Sequence, residues 1–179
     1  RNRSKKLQGK EDRGWKDDIA RLEKLKCSIE AIEPESFSKY QGLLDLITNP
    51  NQMNWSPRKK DDRLVIFTER IETLKFLEEN LTRDLKLKPK QVAKLYGSMS
   101  DIDQQQVVED FGREKSGIRL LIASDVASEG INLHYLSHRM IHFDIPWSLM
   151  VFNQRNGRID RYGQSRTPQI HYLITDSRN

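Results

Sequence analysis

The segment Leu64-Val65-Ile66-Phe67-Thr68 constrains the chain more than any other. A short unbroken apolar run rich in β-branched and aromatic residues reads as a strand buried on both faces, which requires helices above and below it. Helical spacing follows at once in Ile71, Leu74, Leu77 and Leu81. The same alternation continues to the end of the chain. Gln91 to Tyr96 reads as a strand and Asp103 to Phe111 as a helix. Ile118 to Ala123 and Arg139 to Phe143 read as strands, Ser148 to Arg161 as a helix, and Gln169 to Ile174 as the last strand. Strands alternating with helices of this length imply right-handed βαβ units. The expected fold class is α/β, a parallel sheet with helices on both faces, preceded by a short helical segment.

That preceding segment has two parts. Residues 1–14 carry Arg1, Arg3, Lys5, Lys6, Lys10 and Arg13, with Leu7 as the sizeable apolar residue, too little to offset the entropy of ordering. A flexible basic arm is expected there. Residues 15–62 hold two amphipathic stripes and a polar loop. Trp15, Ile19, Leu22, Leu25, Ile29 and Ile32 recur every three or four positions, a helix ended near Pro34. Phe37, Tyr40, Leu43, Leu44 and Ile47 form a second, ended at Asn49-Pro50 because the residue before proline is driven out of helical geometry. Residues 63–179 then form the α/β domain.

Composition narrows the partners. No apolar run approaches the ~20 residues of a membrane-spanning helix, so no membrane partner is expected. The single cysteine, Cys27, leaves no internal disulfide and suits a cytoplasmic location. A net charge of +5 and a pI near 9.3 suit a polyanion, since lysines and arginines that neutralise phosphates release counterions. His134, His138, His142 and His171 are too irregularly spaced for a metal set, and no metal site is expected. The chain begins at Arg1 rather than Met, so further sequence is expected upstream.

Two segments carry chemistry. Gln154-Arg155-Asn156-Gly157-Arg158-Ile159-Asp160-Arg161 places Arg158 and Arg161 three apart and Gln154 four before Arg158, on one face of the expected helix. Guanidinium forks bind phosphate oxygens bidentately and can stabilise charge on a transferring γ-phosphate. Taken alone, such a helix is more simply an exposed basic face paired to acids such as Asp160. The second segment, Ala123 to Leu133, leaves the carboxyl end of a buried strand, where ligands of parallel sheets bind. Gly130 permits close backbone approach, and Ser124, Asp125, Glu129 and Asn132 offer side chains to sugar or phosphate.

In order and separation these segments resemble motifs V and VI of superfamily 2 helicases. Gln154 to Arg161 resembles the motif VI pattern Q-R-x-G-R-x-x-R, and Tyr162-Gly163-Gln164 resembles the ending typical of Swi/Snf-type enzymes. Arg63 to Thr68 resembles motif IV. Tyr96 to Ser100 resembles the turn after the next strand, and Ile141 to Trp147 the Asp-x-Pro-Trp turn before motif VI. The resemblance runs from about Phe37 to Ile174. It implies a second RecA-like domain with Arg158 and Arg161 as arginine fingers and Gln154 near the nucleotide. Gly130, Glu129 and Asn132 would lie on the ATP side, Gly130 and Asn132 near the ribose. Asn132 departs from the Asp that many RNA helicases carry. Thr68, Gly97, Ser98, Met99 and Ser124 would face the nucleic-acid backbone, where small residues and hydroxyls suit contacts without sequence information.

The resemblance further implies ATP and Mg²⁺ bound jointly with a first RecA-like domain of the same polypeptide, and double-stranded DNA as partner. Ser128-Glu129-Gly130 and Gln154-Arg155 resemble bacterial members related to the RNA-polymerase-associated Swi/Snf-type ATPase, which adds RNA polymerase or another DNA-associated complex as a partner. The chain itself has no G-x-x-x-x-G-K-[ST] loop and no strand-borne acid pair for Mg²⁺. It supplies half an ATP site and is expected to be inactive alone. The alternatives are an RNA helicase C-terminal domain and a nonhydrolytic module that binds nucleic acid or protein.

Overall fold

The computed structural model describes residues 2–124 and 132–175, and of residues 2–14 the backbone only. The chain divides into two compact units, Arg1–Gln41 and Gly42–Asn179.

The first unit is dominated by the helix α1 (Asn2–Glu30). It takes in residues 2–14, for which composition suggests a flexible arm; lysine, arginine, glutamine and glutamate are all good helix formers. The stripe Trp15, Ile19, Leu22, Leu25, Ile29 is present at helical spacing, and all five side chains are exposed. A 3-10 turn at Pro34–Ser36 follows, and α2 (Ser38–Thr48) spans the division between the units.

The second unit is a five-stranded sheet with the order β2-β3-β1-β4-β5, every pairing parallel. The strands are β1 (Arg63–Thr68), β2 (Val92–Leu95), β3 (Leu120–Ser124), β4 (Ser137–His142) and β5 (Gln169–Tyr172). The helices between them are α3 (Ile71–Asp84), α4 (Asp101–Gly112) and α5 (Leu149–Asn156). The apolar run that constrains the sequence becomes the central strand. Leu64, Val65, Ile66 and Phe67 are all 0% exposed, and burying each contributes about 1.5–3 kcal/mol.

Period-two alternation divides the sheet between two helical layers. Val65, Phe67, Leu95, Leu121, Ala123 and Met140 join Phe111 of α4, Leu133 and Ile159 in one core cluster. Lys94 points the other way along β2 and pairs with Glu78 of α3 at 2.7 Å. Helices therefore cover both faces, as the alternation predicts.

The unit begins earlier than the boundary at residue 63 suggested by sequence. Leu43, Ile47, Met53 and Trp55 are buried, Trp55 Nε1 donates to Asp62 O at 2.8 Å, and Arg139 Nη1 donates to Met53 O. The 49–62 loop is thus stitched to the sheet. Arg63 opens β1 fully buried, its guanidinium donating to the carbonyls of Asp110, Phe111 and Arg113 at the end of α4. A cation there complements the negative end of the helix dipole. Burial still lowers its pKa to about 10.

Candidate functional site

The carboxyl ends of the strands collect one group of expected contact residues. Thr68 and Ser124 end β1 and β3 in register with each other, and both are buried. Thr68 Oγ1 donates to Asp144 Oδ2 at 2.6 Å, and the same oxygen lies 3.3 Å from Glu69 N. The threonine donor is therefore committed to the Asp144 turn. Gly97 and Ser98 are exposed in the turn after β2, closed by Met99 N to Tyr96 O at 3.1 Å. Ser100 then caps α4, accepting from Asp103 N, with Asp101 and Asp103 in the first turn. This cap fixes where the Gly97–Met99 turn stands.

Arg155 leaves the expected arginine cluster altogether. It is 1% exposed, its guanidinium donates to Asp144 O at 2.7 Å, and its carbon lies 5.4 Å from the Phe67 ring centroid. Arg155 Nη1 also lies 3.2 Å from His142 Nδ1, and His142 Nε2 lies 2.9 Å from Asn156 Oδ1. Arginine can only donate, so Nδ1 accepts and the neutral ring carries its proton on Nε2, which donates to Asn156. Phe67, Phe152 and Tyr172 stack around that ring. Sequence reasoning missed both Arg155 and Asp144 as structural partners of the strand end. The available signal was a buried position between Phe152 and Ile159 in helical register.

The helix expected to reach Arg161 stops at Asn156, which corrects the sequence reading. Gly157 is its C-cap, and Arg158 and Ile159 continue as turns through Arg158 N to Arg155 O and Ile159 N to Asn156 O. Ile159 enters the core, so the backbone bends inward rather than extending the cylinder. Arg158 and Arg161 are consequently held by tertiary bonds. Leu133 N donates to Arg158 O at 3.1 Å, and Arg161 Nη1 donates to Asn132 Oδ1. Gln164 Nε2 reaches the carbonyls of His134 and Ser137.

These anchors run from His142, the last residue of β4, towards Ser137, its first. Asn132, Arg158 and Arg161 come together. Gln154 is exposed one turn before Arg158, and Gly130 and Glu129 lie outside the described residues.

Beyond the pair, Arg166 donates to Asp61 Oδ2 and holds that carboxyl below the usual carboxylate range. Asp61, Ser137, His138, Gln164 and Arg166 line a cavity of about 220 Å³ at the amino ends of β1 and β4. Burial pushes the His138 imidazole below its ordinary value, against the pull of Asp62, and burial does the same to His171.

Residues 38–163 match the family described as the helicase conserved C-terminal domain. The RNA polymerase-associated protein RapA of Vibrio campbellii (strain ATCC BAA-1116) is 28% identical over 125 residues, 68% of this chain and 12% of that protein. The crystal structure of the C-terminal part of the Fun30 ATPase domain superposes with a TM-score of 0.65 and 26% identity, over 87% of this chain and 50% of that one. The chain therefore spans only a small part of its curated relative. Among the described residues no helix is long and apolar enough to cross a membrane.

Proposed function

Because this chain belongs to the helicase conserved C-terminal domain family, as the C-terminal RecA-like domain of a superfamily 2, Swi/Snf-type enzyme, we propose that it is the second half of an ATP-driven motor that tracks along duplex DNA. The observation that carries this reading is the fixing of Arg158 and Arg161 against residues 132–133 by two independent bonds. A backbone fixed at Arg158 and a guanidinium held at Arg161 suit a γ-phosphate presented by a neighbouring domain, where the two forks would stabilise the charge of the transferring group.

ATP would lie between this domain and a first RecA-like domain of the same polypeptide. That domain would supply the phosphate-binding loop and the acids for Mg²⁺, neither of which occurs in this sequence. Gln154 and Glu129 would approach the nucleotide, with Gly130 and Asn132 near the ribose. Asn132 Oδ1 accepts from Arg161, which leaves Nδ2 and a second lone pair on Oδ1 for a ribose contact. Gly97, Ser98 and Met99 would meet the DNA backbone, with Ser124 beside them and Thr68 acting through the Asp144 turn. A relative named for its association with RNA polymerase supports RNA polymerase, or another DNA-bound complex, as partner.

The test compares this chain alone with the polypeptide that includes the first domain. The chain alone is expected to release no phosphate from ATP above a buffer control, and the longer polypeptide to turn over ATP when duplex DNA is added. Hydrolysis by the purified chain alone contradicts a shared site, and stimulation by RNA in preference to duplex DNA contradicts the substrate.

A further inference from the structure

Both ends of the Gln164 carboxamide are engaged. Nε2 lies 3.2 Å from His134 O, 2.9 Å from Ser137 O and 3.1 Å from Ile159 O, while Oε1 accepts from Arg166 N at 3.1 Å. Two N–H bonds meet three acceptors, so one of them is shared. The acceptors belong to two segments far apart in sequence, the approach to β4 and the turn after α5. Leu133 N to Arg158 O and Arg161 to Asn132 join those same segments. Gln164 closes the far end of this seam.

The local backbone delivers the side chain there. Gln164 N donates to Arg161 O at 3.0 Å, and Gly163 has φ +95, as the third residue of a type II turn requires. The chain doubles back directly after Arg161.

We propose, resting on the reading of Arg158 and Arg161 as the ATP-facing pair, that Gln164 is a positioning residue for that pair. It touches no substrate. Its amide pins the 157–163 turn to residues 134–137, so that both guanidinium forks keep one aim when ATP arrives. The place calls for a neutral group that donates twice and accepts once. Leucine fills the volume and withdraws the donors; glutamate turns a carboxylate toward carbonyl oxygens. Displacing a reacting or stabilising group by about 1 Å costs about 10²-fold in rate. The loss should fall on kcat, because the forks act on charge that develops in the transition state.

The experiment uses the intact enzyme carrying this domain, with duplex DNA, and compares Gln164→Leu, Gln164→Glu and Arg158→Ala with the unaltered protein. Both Gln164 variants are expected to lose about 10- to 100-fold in kcat, with the KM for ATP held within about two-fold. Affinity for ADP–aluminium fluoride should fall in step with kcat, while a nonhydrolysable ATP analogue binds as before. Relative to unaltered enzyme, Gln164→Glu should recover as the pH falls toward about 5, where a protonated carboxyl donates as the amide does. Where both Gln164 variants fold, either of two results overturns the proposal. One is near-normal kcat in both Gln164 variants while Arg158→Ala is inactive. The other is an equal loss of affinity for both analogues in variants that remain folded, which marks a loss of uniform binding rather than of transition-state positioning. If Gln164→Leu fails to fold, the Gln164→Glu series decides: recovery at low pH supports positioning and a flat ratio overturns it. Retained turnover in Arg158→Ala is a distinct result, which removes the reading of the pair and the proposal with it.

Discussion

Three arginines lie within seven residues of one another in the Arg155–Arg161 segment, and each meets a different fate. Arg155 is folded inward onto His142, Asp144 O and the Phe67 ring. Arg161 is exposed and held by Asn132, and Arg158 is half-buried with its backbone bonded to Leu133. Periodicity cannot separate these fates, because residue type and spacing are shared while the neighbours come from β1, β4 and the segment before β4. One buried and one half-buried histidine give the residue scale a direct readout. His138 and His171 have pKa values lowered by burial, so the unfolded chain takes up protons near pH 6.5 while the folded one resists. Unfolding therefore binds protons in that window, and stability rises with pH. The stability of neutral His138 and His171 is fully present above pH 6.5 and is lost as pH falls below it. Denaturant midpoints should drop on acidification from neutrality, and the drop should shrink in His171→Gln.

At the scale of elements, the strand run, the alternation and the order of helices were legible in sequence because they rest on burial, and burial writes itself as hydrophobic period. β1 begins one residue before the expected Leu64–Thr68, and α3, α4 and β3 each fall within a few residues of their expected limits. The end of α5 was not legible. Gly157 permits continuation or termination, and the choice is made by Ile159 entering a core that is assembled from distant segments. The turn at Gly163 was visible only as a resemblance to a family ending. Its physical requirement is the left-handed φ of +95, which alanine adopts at a cost of about 1–2 kcal/mol. Gly163→Ala should lower the unfolding free energy by that amount, and the urea midpoint with it, without altering the m value. An unchanged midpoint would mean that the turn relaxes freely and does not constrain Gln164.

On the scale of the whole molecule, the proposed motor would use two surfaces, the exposed Gly97-Ser98 turn after β2 for the nucleic acid and the arginine pair held at residues 132–133 for the nucleotide. Binding to DNA should be independent of sequence and should weaken with salt. The slope of log K against log salt is expected near −0.9 for each phosphate neutralised, and a flat response contradicts a backbone contact. The nucleotide side is tested most directly by steady-state, DNA-stimulated ATP turnover of Arg158→Ala and Arg161→Ala in the intact enzyme. A fork acting on transition-state charge is worth roughly 10³–10⁵ in rate, about 4–7 kcal/mol of barrier, whereas an exposed ion pair contributes about 0–1 kcal/mol. Each alanine variant is expected to lose turnover on the larger scale while keeping its fold and most of its DNA binding, and lysine in either place should fail nearly as badly for want of the planar fork. If both alanine variants keep more than about a tenth of the unaltered rate, a loss of only about 1.4 kcal/mol, Arg158 and Arg161 are surface charge and not part of an ATP site.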